Sequence, residues 1–338
     1  MFDPEHSQLG VEHSKLVGMP IQQPSTQHGS RITGLGHYQP EKVLTNFDIA
    51  KMVDTNDEWI QTRTGIVERH IAAEDETVAD MAVAAARMAL EDAGIDDVDM
   101  VVVASTTSTE RSPNTAGRVS QRLGFSSPAI MDINTACSGF EYAVGIADQA
   151  IRAGSAESAV VIGSETLSKV TDWTDRRTCI LTADGAGAVV LQKSEEPKVS
   201  QTLWGSVPSM ADAVIIAGDP STFTQDGRQV MRWAFTDAAK QARKVVDAAG
   251  MTIDEIDVFA FHQANLRLIE PLAKALKVTD EQVLIQDVVE SGNISAASVP
   301  LELSKYWHRG DLPRGGMALL LGFGGGFTYA GQVVQLPE

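Results

Sequence analysis

The chain has 338 residues, 43% hydrophobic and 21% charged, which is apolar mass enough for two ordinary domains or one large duplicated one. Its formal net charge of −18, with no basic stripe to neutralise phosphates, excludes general nucleic-acid binding. The longest apolar runs, "MVVVA" and "MALLLGF", are far shorter than the roughly 18 residues a membrane span needs.

Two cysteines, Cys137 and Cys179, make neither a disulfide framework nor a cysteine-based metal site. Without a basic-then-apolar leader, they predict a reducing, cytoplasmic setting. Residues 1–30 are polar, carry His6, His13 and His28 and lack periodicity, so they are expected to form a flexible extension, with order beginning near Arg31.

Beyond that point the chain repeats itself. "AAARMALEDAGIDDVDMVVVAS" (84–105) lies against "KQARKVVDAAGMTIDEIDVFAFH" (240–262), and both read as a helix, an Ala-Gly stop, an acidic turn and an apolar strand. "PAIMDINTACSGF" then parallels "QVLIQDVVESGNISAAS", and "SAVVIGSE" parallels "GMALLLGFGGG". Two copies of one plan predict a duplicated α/β fold with halves 31–198 and 199–338. The Ser, Thr, Pro and Asp-rich stretch at about 201–228 fits neither copy and is expected to be an irregular insertion over one face, where loops commonly carry binding function.

In such folds ligands bind beyond the carboxyl ends of strands. Cys137, in "TACSGFEYA", ends one strand and precedes a helical pattern that stops at Gly154. A helix N-terminus there would favour the thiolate, and its free N–H groups could hold an oxyanion. In isolation Cys137 reads more readily as a small buried hydrophobe, as most free cysteines do.

Outside the tail, His37, His70, His262 and His308 could partner it. His262 follows the strand "DVFAF" directly and opens "HQANLRLIEPLAKAL"; Asn293 sits in "ESGNISAASVPLEL" after Gly292. A histidine or asparagine at such a turn is ordinarily a cap residue; three polar side chains at three strand-to-helix turns can converge. A thiolate would take an acyl group, while neutral histidine and asparagine donate to the oxygen of a second thioester as it becomes an enolate. "GFGGGF" (322–327) fails as a dinucleotide fingerprint because Phe327 replaces the last glycine. It reads as a tight turn whose Gly325 N–H could complete an oxyanion hole with Cys137.

With "MVDTNDEWIQTRTGIVERHIA", "NTACSGF", "ADGAGAVVL", "HQANLRLI", "GNISAASVP" and "GFGGGFTYAG" in order, residues 31–338 resemble β-ketoacyl-[acyl-carrier-protein] synthase III, the initiating condensing enzyme of bacterial fatty acid synthesis. The resemblance implies a thiolase-like α/β fold of two duplicated halves in a layered αβαβα architecture. It also implies a homodimer and a catalytic trio at Cys137, His262 and Asn293. The substrates it implies are an acyl-CoA and malonyl-acyl carrier protein, which loses carbon dioxide before condensing. Coenzyme A enters as a thioester substrate, and no cofactor, metal, nucleic acid or membrane is expected.

The resemblance further places Trp59 and Arg176 around the adenine of coenzyme A, Arg63 at phosphate and Asn265 beside His262 and the active-site water. Arg232, Arg267 and Lys274 are placed as cations that dock the acidic carrier protein. Read from residue type alone, Trp59 would be a core anchor and the cations solvated surface charges. Ser112 stands where acetyl-preferring members carry phenylalanine closing the acyl pocket across the dimer interface, so longer or branched primers are expected beside acetyl. Arg177, Ile294 and Gly227-Arg228 also depart from the family pattern, the segment around 200–225 is shorter than usual, and several of these departures border the coenzyme A channel that the resemblance implies. Cys179, in "RRTCILTADG", reads as a core residue on a buried strand, which sets the chain apart from thiolases with two catalytic cysteines. A chain starter of polyketide synthesis and a silent scaffold binding acyl-CoA or carrier protein are the competing readings; the retained trio argues against the scaffold.

Overall fold

The structure, a computed structural model, describes residues 28–338. The extension read at 1–30 therefore lies almost wholly outside the described residues, but its last two positions need correcting. Strand β1 begins at Gly29 rather than near Arg31, and the buried Ser30 hydroxyl donates to Asp148 Oδ1 at 2.7 Å.

The first half runs β1 (Gly29–Tyr38), β2 (Lys42–Thr45), α1 (Asn46–Ile49), α2 (Asp57–Thr64), β3 (Glu68–Ile71), α3 (Val78–Ala93), β4 (Met100–Ala104), α4 (Thr115–Leu123), β5 (Ala129–Ile133), α5 (Gly139–Arg152), β6 (Ser158–Thr166) and β7 (Asp184–Ser194). The second runs β8 (Leu203–Ser206), β9 (Val214–Ala217), β10 (Thr222–Gln225), α6 (Gly227–Trp233), α7 (Ala239–Ala248), β11 (Val258–Phe261), α8 (Leu266–Leu276), β12 (Val283–Leu284), α9 (Val288–Ser291), α10 (Ser298–Arg309), β13 (Met317–Gly324) and β14 (Thr328–Gln335).

The duplication is visible in hydrogen bonding. One five-stranded sheet has the order β5-β4-β6-β7-β1 and the other β12-β11-β13-β14-β8; in each, the first three strands are parallel and the last two antiparallel to their neighbours.

Helices α5 and α10 lie between the two sheets and touch both. All of the first eight residues of α10 are buried, as a helix enclosed on all sides requires. Helices α3 and α4 cover the outer face of the first sheet, and α7 and α8 that of the second, giving five layers. Local chemistry supports these elements: α3 opens on a Thr77–Asp80 capping box and stops at Gly94 with φ 69°, the standard start and stop signals.

Two expectations change. The segment at about 201–228 is not simply irregular, because Leu203–Ser206 is the edge strand of the second sheet and Val214–Ala217 pairs with Thr222–Gln225 as a hairpin. Cys179 is fully buried, as expected, yet it lies in a turn rather than on a strand. Alternation could not reveal this, since a buried turn and a buried strand both read as short apolar runs.

Candidate active site

The carboxyl ends of β5 and β11, and the turns before α5 and α10, meet at one pocket of about 290 Å³ that is lined by Cys137, His262 and Asn293. Of the candidate histidines only His262 reaches it. His37 bonds Ser304, His70 bonds the Pro40 carbonyl and His308 bonds the Leu35 carbonyl.

Cys137 sits in the single 3₁₀ turn Ala136–Ser138 immediately ahead of α5. Ala136 takes φ 48°, a left-handed conformation costly for a residue with a Cβ and typical of functional turns. The backbone N–H groups of Gly325 and of Cys137 itself both approach the thiol.

The thiol is not the ready thiolate that its helix-start position suggested. Burial pushes it up to about 11, against the opposing pull of Ser295 and the Gly325 N–H. Desolvation of a full charge outweighs the fractional charge of a helix terminus. The nucleophile must therefore lose its proton as it reacts.

The His262 imidazole is held neutral, its pKa lowered by burial to about 4. Its backbone N–H bonds the Leu321 carbonyl at 2.8 Å, and its ring meets Phe323 edge-on at 5.9 Å. Among the described residues, its Nδ1 has no hydrogen-bond partner.

Asn293 is fixed from three directions. Its N–H bonds Leu181 O at 2.8 Å and its carbonyl accepts from Ala183 N at 2.9 Å. Its side-chain oxygen accepts the Ser295 N–H at 2.9 Å. Because that donor is a backbone N–H, the bonded atom must be the amide oxygen, and the NH₂ end is left to act as a donor. Ser295 has φ 48°, matching Ala136, and the Ala136 N–H bonds Asn134 Oδ1 just as Ser295 bonds Asn293. Asn134 is thus the first-half counterpart of Asn293, and Ala296 that of Cys137: duplicated architecture, specialised chemistry.

The remaining wall was largely unread in sequence. Val214, Ile215, Ile216 and Phe223 of the β9–β10 hairpin, with Leu167 and Phe323, make one side of the pocket apolar. Only the binding role assigned to the 201–228 segment hinted at this. Behind the nucleophile, the fully buried Glu141 on α5 is pushed up to about 8 by burial, and neither carboxyl oxygen has a partner among the described residues. An acid inside an otherwise helical apolar pattern was the available signal.

Trp59, Arg63 and Arg176 do cluster. The Arg63 and Arg176 guanidinium carbons lie 4.5 and 5.1 Å from the Trp59 ring centroid, so both stack on the indole, and Arg176 also donates to the Asp54 carbonyl at 2.8 Å. Arg267 at the start of α8 donates to Thr62 O of α2 at 3.1 Å, tying the two helices together. Lys274 on α8 and Arg232 on α6 are exposed.

Other readings do not map onto the pocket. Asn265 is the N-cap residue of α8, does not line the cavity, and its Oδ1 is buried with no partner among the described residues. Ser112 is exposed and does not line the cavity of its own chain. Ile294 is wholly buried with Ala183, Ala297 and Leu301, because the residue after Asn293 faces the core. Arg177 is exposed and paired with Asp175 at 3.0 Å, and Arg228 is exposed at the start of α6.

Comparison with known proteins decides the family. The 3-oxoacyl-[acyl-carrier-protein] synthase III profile matches residues 131–208, and its C-terminal profile residues 246–336. A β-ketoacyl-[acyl-carrier-protein] synthase III of Streptomyces coelicolor is 52% identical over 314 residues, covering 91% of this chain and 99% of that relative. The chain belongs to the β-ketoacyl-[acyl-carrier-protein] synthase III family. It is accordingly a condensing acyltransferase with the thiolase fold. Among solved structures of this family's fold, the priming β-ketosynthase of the R1128 polyketide biosynthetic pathway superposes with a TM-score of 0.91 at 35% identity, covering 95% of this chain and 99% of its own. The synthase III of Aquifex aeolicus superposes with a TM-score of 0.87 at 40% identity, covering 91% and 100%.

Proposed function

We propose that the enzyme joins an acyl-CoA primer to malonyl-acyl carrier protein through an acyl-Cys137 intermediate, giving 3-oxoacyl-acyl carrier protein and starting a fatty acid chain. The observation that carries this reading is the meeting, in one buried pocket, of a thiol flanked by two N–H donors with a neutral imidazole and an amide whose donor end is free.

In the first half-reaction the Cys137 sulfur attacks the thioester carbonyl. The N–H groups of Cys137 and Gly325 hold the oxyanion, and coenzyme A leaves as its thiol, taking the proton Cys137 gives up. In the second, malonyl thioester loses carbon dioxide while His262 and Asn293 donate to its carbonyl oxygen, stabilising the enolate. Its carbon then attacks the acyl-Cys137 carbonyl, and the Cys137 sulfur departs as a thiolate that takes up one proton from water to restore the thiol. A charged histidine acting as a simple base would favour hydrolysis; an imidazole kept neutral by burial favours the enolate.

The arginine-stacked Trp59 supports coenzyme A recognition, with Arg63 toward phosphate. The exposed Arg232, Arg267 and Lys274 offer local attraction to an acidic carrier that a net charge of −18 otherwise repels. Edge strand β5 leaves Ile130 and Met131 47% and 38% exposed, an unpaired apolar edge of the sort a second copy covers in a homodimer. Ser112 could reach an acyl pocket only from such a second copy. The small side chain there supports longer or branched primers, with selectivity of about 1–3 kcal/mol per methylene and hence a preference rather than a rule.

Incubation with acetyl-, isobutyryl- and octanoyl-CoA followed by intact-mass measurement is expected to show an acyl-sized gain that Cys137→Ala abolishes, with isobutyryl-CoA loading at least as fast as acetyl-CoA. A gain that survives Cys137→Ala would exclude the intermediate, and strict acetyl preference would exclude the open pocket. The structural likeness to a polyketide priming ketosynthase keeps chain initiation in that pathway as the second reading; product formation with a polyketide carrier protein but not a fatty acid one would select it.

A further inference from the structure

Asn293 is held on its far side by a network that the proposed chemistry does not use. It follows Gly292, whose φ of 71° turns the chain at the end of α9, and Ser291 closes that helix. Ser291 is completely buried and lies at the centre of a knot of side chains. Lys305, on the second half of α10 and only 7% exposed, reaches back with Nζ 2.6 Å from Asp287 Oδ2 and 2.9 Å from Ser291 Oγ. The Ser291 hydroxyl donates to Asp287 Oδ2, its N–H bonds the Asp287 carbonyl at 2.8 Å, and Gln39 Nε2 donates to Ser291 Oγ at 2.9 Å.

A buried ammonium–carboxylate pair is a poor way to gain stability, because desolvation offsets most of the attraction; what it provides is a defined geometry. Here the pair closes a loop. Asn293 lies between Ser291 and the start of α10, and Lys305 ties that same helix back to Ser291. The near side is held by Leu181, Ala183 and Ser295, so the Lys305 knot supplies the opposing anchor.

We infer that Lys305, Asp287 and Ser291 are positioning residues that set where the Asn293 amide points, and that they serve the decarboxylating half-reaction rather than acyl loading. This rests on the reading of Asn293 as an enolate donor given above. A donor that is free but displaced still fills its space, so the thiol and its N–H groups keep working while enolate stabilisation is lost.

The test compares two rates in the same preparation: acylation of Cys137 by isobutyryl-CoA, followed by intact mass, and carbon dioxide release from malonyl-acyl carrier protein. Lys305→Met leaves the buried Asp287 carboxylate only the Arg309 guanidinium at 3.9 Å and puts the fold at risk, so Ser291→Ala, which keeps the ion pair, carries the test. Decarboxylation is expected to fall about tenfold, with acylation within twofold of the parent. Equal loss in both rates, or no loss in either, overturns the assignment. Asn293→Ala is the reference: a selective loss there without one in Ser291→Ala sinks this inference alone, whereas a parallel loss in Asn293→Ala removes the reading of Asn293 and this inference with it.

Discussion

Gly324→Ala is expected to leave a folded protein that no longer acylates Cys137 at a useful rate. At the end of β13 the chain passes so close to the nucleophile that a Cβ on Gly324 would lie 2.6 Å from both Cys137 Cβ and Sγ. The backbone itself is no obstacle, since φ 167° is extended and open to any residue. The clash therefore falls on the reactive sulfur, and relief requires moving either the turn that carries Cys137 or the strand that leads to Gly325. Overpacking of this kind costs about 1–3 kcal/mol of stability, while displacing a nucleophile by about 1 Å can cost about 100-fold in rate. The check is acylation by intact mass beside a thermal melt, with Gly227→Ala as control, because a Cβ there meets nothing within 4 Å. Loading at the parental rate would mean that the turn is softer than the packing implies.

Glu141→Gln is expected to flatten part of the pH dependence of stability. Burial holds this carboxyl protonated up to about 8, from an ordinary value near 4.5. Between those limits the unfolded chain releases its proton and the folded one keeps it, so stability falls as pH rises through the window. Below about 4.5 both states are protonated and the acid contributes no slope. The gap of about 3.5 pH units corresponds to about 5 kcal/mol in full at 1.36 kcal/mol each, and most of it is already lost at pH 7. Glu302, also buried and raised by burial first and by Asp287 second, adds a slope of the same sign and remains in the variant. Thermal melts from pH 5 to 8 should show Glu141→Gln gaining on the parent as pH rises; parallel curves would show that Glu141 already ionises in the folded protein.

The repeat in the sequence predicted the duplicated architecture well, since each copy carries its own helix stop and apolar strand. Both sheets accordingly have the same strand order. The convergence of Cys137, His262 and Asn293 was legible for a related reason. Cys137 and His262 follow strands β5 and β11, and in a duplicated α/β fold such ends face a common space; Asn293 lines the same pocket but follows helix α9 and Gly292 rather than the strand the sequence pattern predicted. The closeness of the Gly325 N–H to the thiol was legible from the glycines around it.

What stayed hidden depends on contacts between distant segments. The sequence places Cys137 before a helix and so suggests an easily ionised thiol; desolvation in the pocket, where the Gly324 backbone packs close to the sulfur, reverses that, because desolvation depends on everything around the sulfur. Ile294 adjoins Asn293 in sequence but faces the core, since a turn sends neighbouring side chains in different directions. The stacking of Arg176 on Trp59 joins residues more than a hundred positions apart, whereas Arg63 lies one helical turn from Trp59 on α2, and the Lys305–Asp287 pair links two helices across the Asn293 turn. The sequence by itself determined the repeat, the reactive groups and the strand-end positions of Cys137 and His262, because these follow from local pattern and residue chemistry. Only the tertiary structure decided protonation, access and the aim of each donor, because these are set by which surfaces exclude water and which distant atoms hold each side chain.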